Sequence, residues 1–130
     1  MVPLLTDIRC AEGVNWIDSY PVGVGEAWVP RYGVEGKNVF AVRVIGDSMV
    51  PDLYPGDILI INPDVPFTNF KGGIGVIQHG ETYLIRKIYK VGDMYNLVPS
   101  NELYEPDTAP VKDTRIFKVA QWIPKAKGKF

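Results

Sequence analysis

A serine in a glycine-containing turn is the strongest candidate for chemistry in this chain. Residues 46–51 have the sequence Gly-Asp-Ser-Met-Val-Pro and lie between two apolar runs, residues 39–45 and residues 58–61. A turn at the end of a strand holds a side chain exposed and fixed, which suits a nucleophile or a recognition hydroxyl. Ser48 is therefore the candidate nucleophile, with Met49 beside it. The alternative is that Ser48 is a structural turn residue, a common role for serine next to Gly and Asp.

The remaining polar residues predict no metal, cofactor or nucleotide site. His79 is the only histidine, and no cysteine lies near it in the sequence, so a zinc site is not expected. A catalytic triad would require His79 to fold back from a predicted hairpin tip onto Ser48. Asp47 and Asp57 lie in glycine-containing turns, where aspartate commonly hydrogen-bonds its own backbone. The glycine-rich stretches lack the strand-to-helix context and the lysine of phosphate-binding loops.

Strands that could hold this turn dominate from residue 39 onward. The continuously apolar residues 58–61 predict a strand that is covered on both faces. His79-Gly80 and Gly92-Asp93 have the glycine placement of tight hairpin turns. The predicted strands are residues 39–45, 58–61, 74–78, 81–89, 94–98 and 116–123. Their even spacing favours a mostly β fold, either a partly closed β-barrel or a set of packed sheets.

The first 38 residues are predicted to form an arm on a core domain at residues 39–130, within one structural domain. Residues 2–5 could form a short edge strand, because proline is tolerated at a sheet edge. Residues 10–28 contain several glycines and prolines and few periodic signals, which indicates an extended arm or a long loop. Trp16 and Trp28 need burial, which argues against a disordered terminus.

Composition predicts a soluble, cytoplasmic globular domain without a nucleic-acid surface of its own. The 130 residues are 46% hydrophobic, which is enough for one domain with a core. The net charge is −1, whereas a free-standing domain that binds phosphates is usually basic. Cys10 is the only cysteine, so no internal disulfide can form. The sequence contains neither a secretory signal nor an apolar run approaching ~18 residues.

Taken together, the motifs resemble the LexA-like repressors of the S24 peptidase family, which includes phage repressor C-terminal domains and UmuD-type mutagenesis proteins. The resemblance begins with the Gly-Asp-Ser-Met turn and continues with Pro-Gly-Asp at residues 55–57 and the apolar run after it. It includes the Lys-Gly-Gly turn at residues 71–73 and the hairpin that ends in Ile-Arg-Lys-Ile at residues 85–88. Residues 98–106 also match, and the whole resemblance covers residues 2–123.

The resemblance implies a LexA/signal-peptidase-like fold of small sheets forming a partly closed barrel, and it implies a Ser-Lys peptidase. In this family the serine attacks the protein's own N-terminal segment, at an Ala-Gly or Cys-Gly bond, when a RecA filament stabilises the cleavable state. A hydroxyl is a poor nucleophile until a base takes its proton. Lysine is that base only where burial lowers its pKa enough to leave it neutral. Ser48 falls on the nucleophile position.

The position of the family's base is occupied by arginine. Alignment from Gly72 along the following strand without gaps puts Arg86 at the lysine position and Lys87 directly after it. Adjacent side chains of a strand point to opposite faces, so only one of the two can face Ser48. Arginine does not give up its proton in proteins, so the sequence predicts that self-cleavage is lost. A bulge that shifts the register by one residue would instead bring Lys87 to the serine.

The expected cleavage segment also departs from the family pattern. Residues 10–13 have the sequence Cys-Ala-Glu-Gly and contain neither of the family's scissile pairs. Cys10-Ala11 is the best candidate by position and by small size. The simpler interpretation of Cys10 is a small buried hydrophobic residue.

These features predict the C-terminal dimerisation and regulatory domain of a prophage or LexA-like transcriptional repressor. A homodimer places two DNA-binding heads at the half-site spacing of an operator. Operator DNA would be contacted only through an N-terminal helix-turn-helix, which this sequence does not contain. The expected dimer surface is the exposed strand at residues 116–123 with the apolar tail after it, by family analogy. The alternatives are a UmuD-type accessory subunit of a translesion polymerase and an active Ser-Lys peptidase that uses Lys87.

Overall fold

The fold is built from strands. The computed structural model describes residues 1–5, 15–17, 20–22, 27–79 and 82–125. The strands are β1 (Val2–Leu5), β2 (Asn15–Ile17), β3 (Tyr20–Val22), β4 (Ala27–Val29), β5 (Phe40–Arg43), β6 (Ile58–Pro66), β7 (Lys71–His79), β8 (Thr82–Val91), β9 (Met94–Val98), β10 (Asp107–Pro110) and β11 (Thr114–Ile123). No helix occurs in these ranges, and hence none that could cross a bilayer. The predicted mostly β class is confirmed.

Nine of the strands form one sheet, in the order β10-β9-β8-β7-β11-β6-β5-β1-β4, and β2 pairs with β3 in a separate hairpin. The pairing of β1 with β5 is parallel, and the other pairings are antiparallel. The strand order ends at β10 and β4, which do not pair with each other in the part of the chain that is described. The sheet is therefore open, and the expected closure into a barrel is not found.

The last strand, β11, joins what would otherwise be two small sheets. Its residues 114–118 pair with β7, and its residues 117–123 pair with β6 through two register shifts. A strand that changes partner along its length fuses both groups of strands into one sheet. Among the described residues, Phe117 is the position of β11 with a ladder partner on each side, Val76 of β7 and Pro66 of β6. The expected dimer surface at residues 116–123 stays a prediction.

The predicted strands are present, with some differences in length. β9 has the predicted bounds, and residues 58–61 at the start of β6 are at most 1% exposed, as expected for a strand covered on both faces. β10 was not predicted, because its sequence Asp-Thr-Ala-Pro is too short and too polar to show alternation. Its pairing with β9 comes from tertiary context.

Both predicted hairpins are present. His79 pairs with Thr82 where β7 meets β8, and Val91 pairs with Met94 where β8 meets β9. Gly92 in the second turn has a φ of 59°, a left-handed conformation that glycine adopts without a steric cost. The glycine placement in the sequence was therefore a reliable signal for these turns.

β1 lies inside the sheet rather than at its edge. It has β4 on one side and β5 on the other. Pro3 is tolerated there because it pairs only with Trp28 of β4, whereas the parallel pairing with β5 involves Leu4 and Leu5. The pairing with β5 therefore does not require the backbone N–H that proline lacks.

Residues 10–28, predicted as an arm or a long loop, contain three short strands, β2, β3 and β4. Strands of three residues are too short to produce a periodic pattern, and the neighbouring glycines and prolines concealed them. Trp28, expected to be buried, is 58% exposed because β4 is the outermost strand of the sheet.

The Lys-Gly-Gly segment that was predicted as a turn lies in β7 at a bulge. Lys71 pairs with Tyr89 and Gly73 with Ile88, so Gly72 has no partner across the ladder. Gly72 has a φ of 100°, and a Cβ placed on it would lie 2.7 Å from the Tyr89 hydroxyl oxygen. Only glycine fits this bulge without strain.

Two core clusters flank the β5–β6 strand pair. The cluster that supports the serine turn consists of Phe40, Val42, Val44, Met49, Leu53, Leu59, Ile61, Val76, Ile85 and Phe117. The second cluster consists of Val2, Leu4, Val29, Val39, Ala41, Ile58, Ile60 and Ile123, so β1 and β4 belong to the packed core. The alternating residues of β5 and β6 thus face opposite clusters, as the pleat of a strand requires.

Candidate functional site

The loop that carries Ser48 is closed at its neck by the backbone. Val44 N donates to Asp57 O and Gly56 N donates to Val44 O, each over 2.8 Å, so residues 44–57 form a loop with joined ends. Gly46, at the exit of β5, has a φ of 75°. These bonds fix where the loop leaves the sheet, which holds the serine in place.

Met49 anchors this loop in the core. Its side chain is 2% exposed and packs in the cluster that includes Val44, Leu53 and Ile85. Full burial of such a side chain stabilises the fold by about 1.5–3 kcal/mol. Met49 therefore fixes the position of Ser48, and its thioether lies 3.9 Å from the Ser100 hydroxyl.

The neck of the loop is tied to the end of β11 by Asp57, which is 3% exposed. Its carboxylate accepts hydrogen bonds from Tyr54 N (2.9 Å), Trp122 Nε1 (3.0 Å) and Lys125 N (2.9 Å). The bond from Tyr54 confirms the expected local turn role. The two distant donors were not predicted, because nothing in the sequence relates residue 57 to residues 122–125.

A second loop, between β9 and β10, holds the serine loop from the outside. Asn101 N donates to Ser48 O (3.0 Å), and Asn101 Nδ2 donates to Asp47 O (3.1 Å). The Tyr104 hydroxyl donates to a carboxylate oxygen of Asp47. The Ser100 hydroxyl donates to Asp52 Oδ2 over 2.6 Å. Sequence reasoning identified this stretch only through the family resemblance and missed these contacts.

Arg86 of β8 is the residue that reaches the serine. Its Nη1 donates to Ser48 Oγ over 3.0 Å and to the carbonyl oxygen of Ile85 over 2.8 Å. Both hydrogens of that nitrogen are therefore directed to named acceptors. The Ser48 hydroxyl is the acceptor in its bond with Arg86, not the donor.

Lys87 contacts a different group. Its Nζ lies 3.6 Å from Asp52 Oδ2, and the two side chains are 30% and 47% exposed. The register of β7 and β8 is continuous here, with Ile74 opposite Lys87 and Gly75 opposite Arg86. The bulge of this strand pair lies farther along, between Lys71 and Gly73. It therefore does not shift the register at Arg86 and Lys87, and Lys87 is not brought to the serine.

A cleft of about 90 Å³ opens beside the serine. Its walls are residues 44–49, residues 84–86 and Tyr104. The polar groups that it contains include the Ser48 hydroxyl, the Arg86 guanidinium and the Asp47 carboxylate. Aliphatic side chains form most of the remaining wall.

The other predicted site residues do not join this cleft. His79 is placed by its backbone at the end of β7, in the hairpin with β8. Cys10 and Ala11, the candidate cleavage pair, lie outside the described residues. The structure therefore brings together Ser48, Met49 and Arg86 and places the Lys87 amine against Asp52.

The hydrogen-bond polarity decides what the site can do chemically. A nucleophilic serine must donate its proton to a neutral base. Here the hydroxyl accepts a hydrogen bond from a guanidinium, a group that stays protonated in proteins. The pair can bind and polarise an oxygen atom, but Arg86 cannot remove the proton of Ser48.

Comparison with known proteins identifies the family. Residues 3–120 match the Peptidase S24-like family, so this chain belongs to it. The resemblance drawn from the sequence motifs is confirmed.

Its relatives include repressors from several bacteria. The chain is 32% identical over 84 residues to a LexA repressor of Carboxydothermus hydrogenoformans, covering 62% of this chain and 40% of that protein. It is 30% identical over 105 residues to a LexA repressor of Myxococcus xanthus, covering 80% and 42%. It is 37% identical over 54 residues to the prophage repressor CohE of Escherichia coli, covering 41% and 24%. The chain spans less than half the length of these curated relatives.

Proposed function

We propose that this chain is the self-association and regulatory domain of a LexA-like or prophage-type repressor, and that it does not cleave itself. The family membership and the similarity to LexA and prophage repressors support the first part. Operator DNA would be bound by a separate DNA-binding module of the whole protein, since this chain carries a net charge of −1. The domain contributes by holding two such modules together.

The observation that carries the loss of cleavage is the bond from Arg86 Nη1 to Ser48 Oγ. A Ser-Lys peptidase needs an amine that can be neutral beside the hydroxyl. The arginine occupies that place, and the neighbouring Lys87 is engaged with Asp52. The serine is then a residue of the cleft rather than a nucleophile.

Self-association is supported by an open edge on β11. Residues 114–118 pair with β7 and residues 117–123 pair with β6, so within the described ranges residues 119–123 have a partner strand on the β6 side alone. An unpaired strand edge is a template for pairing with another chain. Ala120, Gln121 and Trp122 are exposed along this segment. Antiparallel pairing of the same segment from two copies gives a closed, two-fold symmetric dimer.

Two measurements on the full chain test this proposal. Incubation at alkaline pH followed by intact-mass analysis should give the same single mass for the wild type and for Ser48→Ala. A fragment that forms in the wild type and not in Ser48→Ala would refute the loss of cleavage.

Sedimentation velocity tests the dimer. The wild type should sediment as a dimer, and Ala120→Glu should shift it to the monomer, because two like charges meet across the pairing. The matched variant Thr108→Glu adds the same charge to an exposed position of β10 and should remain dimeric. A monomeric wild type, or a dimer that Thr108→Glu disrupts and Ala120→Glu does not, contradicts the assignment of this edge.

A further inference from the structure

The open edge of β11 is hydrogen-bonded to Asp57, the residue that closes the neck of the Ser48 loop. We propose that self-association at this edge restrains the Ser48 loop, with Asp57 as the link between the two. The inference rests on the proposed dimer and adds to it a regulation of the serine by the state of assembly.

Trp122 is the residue of the open edge that reaches the loop. It lies in residues 119–123, which within the described ranges have a partner strand on the β6 side alone. Its side chain is 45% exposed, while its indole Nε1 donates to Asp57 Oδ2 over 3.0 Å. A strand that pairs with this edge would therefore order the backbone of a residue whose ring is bonded to the neck of the loop.

Asp57 joins the edge to the loop through both its side chain and its backbone. Its carboxylate accepts from Lys125 N over 2.9 Å as well as from Trp122. Its backbone carbonyl accepts from Val44 N over 2.8 Å, which closes the neck. A Cβ placed on Gly56 would lie 2.7 Å from Lys125 Cδ, so the neck and the residues after β11 are in direct contact. Because Asp57 is 3% exposed, an effect of pairing reaches it through these neighbours rather than by direct contact with a second copy.

Backbone hydrogen bonds carry the position of the neck to the serine. Met49 O accepts from Leu53 N over 2.8 Å, and Asp47 O accepts from Val50 N over 3.1 Å. Ser48 lies inside the second of these bonded turns. A loop built of bonded turns with joined ends moves as a unit, so a displacement at its neck displaces the serine.

Opening of the end of β11 costs less in a monomer than in a dimer. A strand end with a ladder on one side opens more readily than one with ladders on both sides, because fewer hydrogen bonds must break. Such opening withdraws the Trp122 and Lys125 donors and leaves the buried carboxylate of Asp57 short of partners, which is costly. The neck is therefore expected to open together with the strand end, and pairing with a second copy suppresses both.

Hydrogen exchange of the full chain, read by mass spectrometry, tests this coupling. Sedimentation velocity first gives the dissociation constant of the dimer, and exchange is then measured well above and well below that concentration. Peptides from residues 44–57 should exchange at least about fivefold more slowly in the dimer. Peptides from residues 88–97, where β8 pairs with β9, should exchange at the same rate in both states and are the internal control.

Trp122→Phe connects the effect to the named bond, because it keeps an aromatic ring but removes the N–H donor. When this variant is measured above and below its own dissociation constant, the difference at residues 44–57 should shrink to about twofold or less. Trp28→Phe, at the exposed tryptophan of β4, is the matched control and should keep the wild-type difference.

The outcomes separate this coupling from the dimer itself. A wild type that stays monomeric overturns both. A dimer whose residues 44–57 exchange as fast as in the monomer, or slow no more than residues 88–97, overturns the coupling alone. A Trp122→Phe protein that keeps the full difference overturns the link through Asp57. The concentration series on the wild type needs no variant, so it decides if Trp122→Phe does not fold.

Discussion

Arg86 and Ser48, 38 positions apart in the sequence, are joined by a hydrogen bond of 3.0 Å in which the guanidinium is the donor. The bond connects strand β8 to the loop between β5 and β6. It places a permanent cation where the chemistry of a Ser-Lys peptidase requires a neutral amine. The properties expected of this cleft follow from the presence of arginine at that position.

Replacing Arg86 by lysine should restore reactivity to the serine. Arg86→Lys keeps the strand position and the adjoining apolar walls but supplies an amine that burial can neutralise. After treatment with a fluorophosphonate, intact-mass analysis should show an adduct on Arg86→Lys. The adduct should disappear in the double variant with Ser48→Ala. An Arg86→Lys protein that reacts no more than the double variant would count against this account of the arginine.

Asn101 should control the position of the serine loop. Asn101→Ala removes the bond from Asn101 Nδ2 to Asp47 O and the bond from Leu103 N to Asn101 Oδ1. The free energy of unfolding should therefore fall by about 1–3 kcal/mol. Urea denaturation measures this change, and the amide signals of residues 47–49 should move. Glu102→Ala, at an exposed neighbour, is the control and should leave both unchanged. Equal effects of the two substitutions would show that Asn101 does not clamp the loop.

Asp57 should be important for stability, because its buried carboxylate accepts three N–H donors. Asp57→Asn keeps the shape but removes the charge and turns an NH₂ group toward a donor. The free energy of unfolding should fall by about 2–3 kcal/mol, and the fluorescence of Trp122 should change. Asp93→Asn, in the exposed turn after β8, should have little effect on either. A stability loss as small as that of Asp93→Asn would contradict the role given to these bonds.

The bulge at Gly72 should not tolerate a side chain. Gly72→Ala combines a φ of 100° with a Cβ that would lie 2.7 Å from the Tyr89 hydroxyl, so a loss of about 1–3 kcal/mol is expected. Gly33 has a φ of 83° with no atom within 4 Å of a Cβ, so Gly33→Ala reports the backbone cost alone. The melting temperature of Gly72→Ala should be lower than that of Gly33→Ala. Adding Tyr89→Phe to Gly72→Ala should recover part of that difference. The same melting temperature for both alanine variants would remove the steric explanation.

The sequence predicted the parts of the fold that local chemistry determines. Hairpins with Gly80 and Gly92 and the buried run at residues 58–61 were found from local patterns. The positions of β4 and β10 were not, because strands of three or four residues take their structure from the partners they pair with.

The candidate site was predicted in the same uneven way. The motif identified Ser48, and the alternation of side chains along β8 predicted that Arg86 and Lys87 would reach different groups. The contacts of Asn101 and Asp57 were not predicted, because each joins segments that are far apart in the sequence and that only the folded sheet brings together. Tertiary hydrogen bonds of this kind leave no periodic signal.

The state of the Ser48 hydroxyl in the wild-type chain is the most direct test of the central claim. Intact-mass analysis after exposure to a fluorophosphonate at alkaline pH reports whether the hydroxyl can be activated. The account predicts an unmodified chain, with the same mass as Ser48→Ala treated in parallel. A single adduct that peptide mapping places on Ser48 would contradict it, because some base would then be taking the proton that Arg86 cannot.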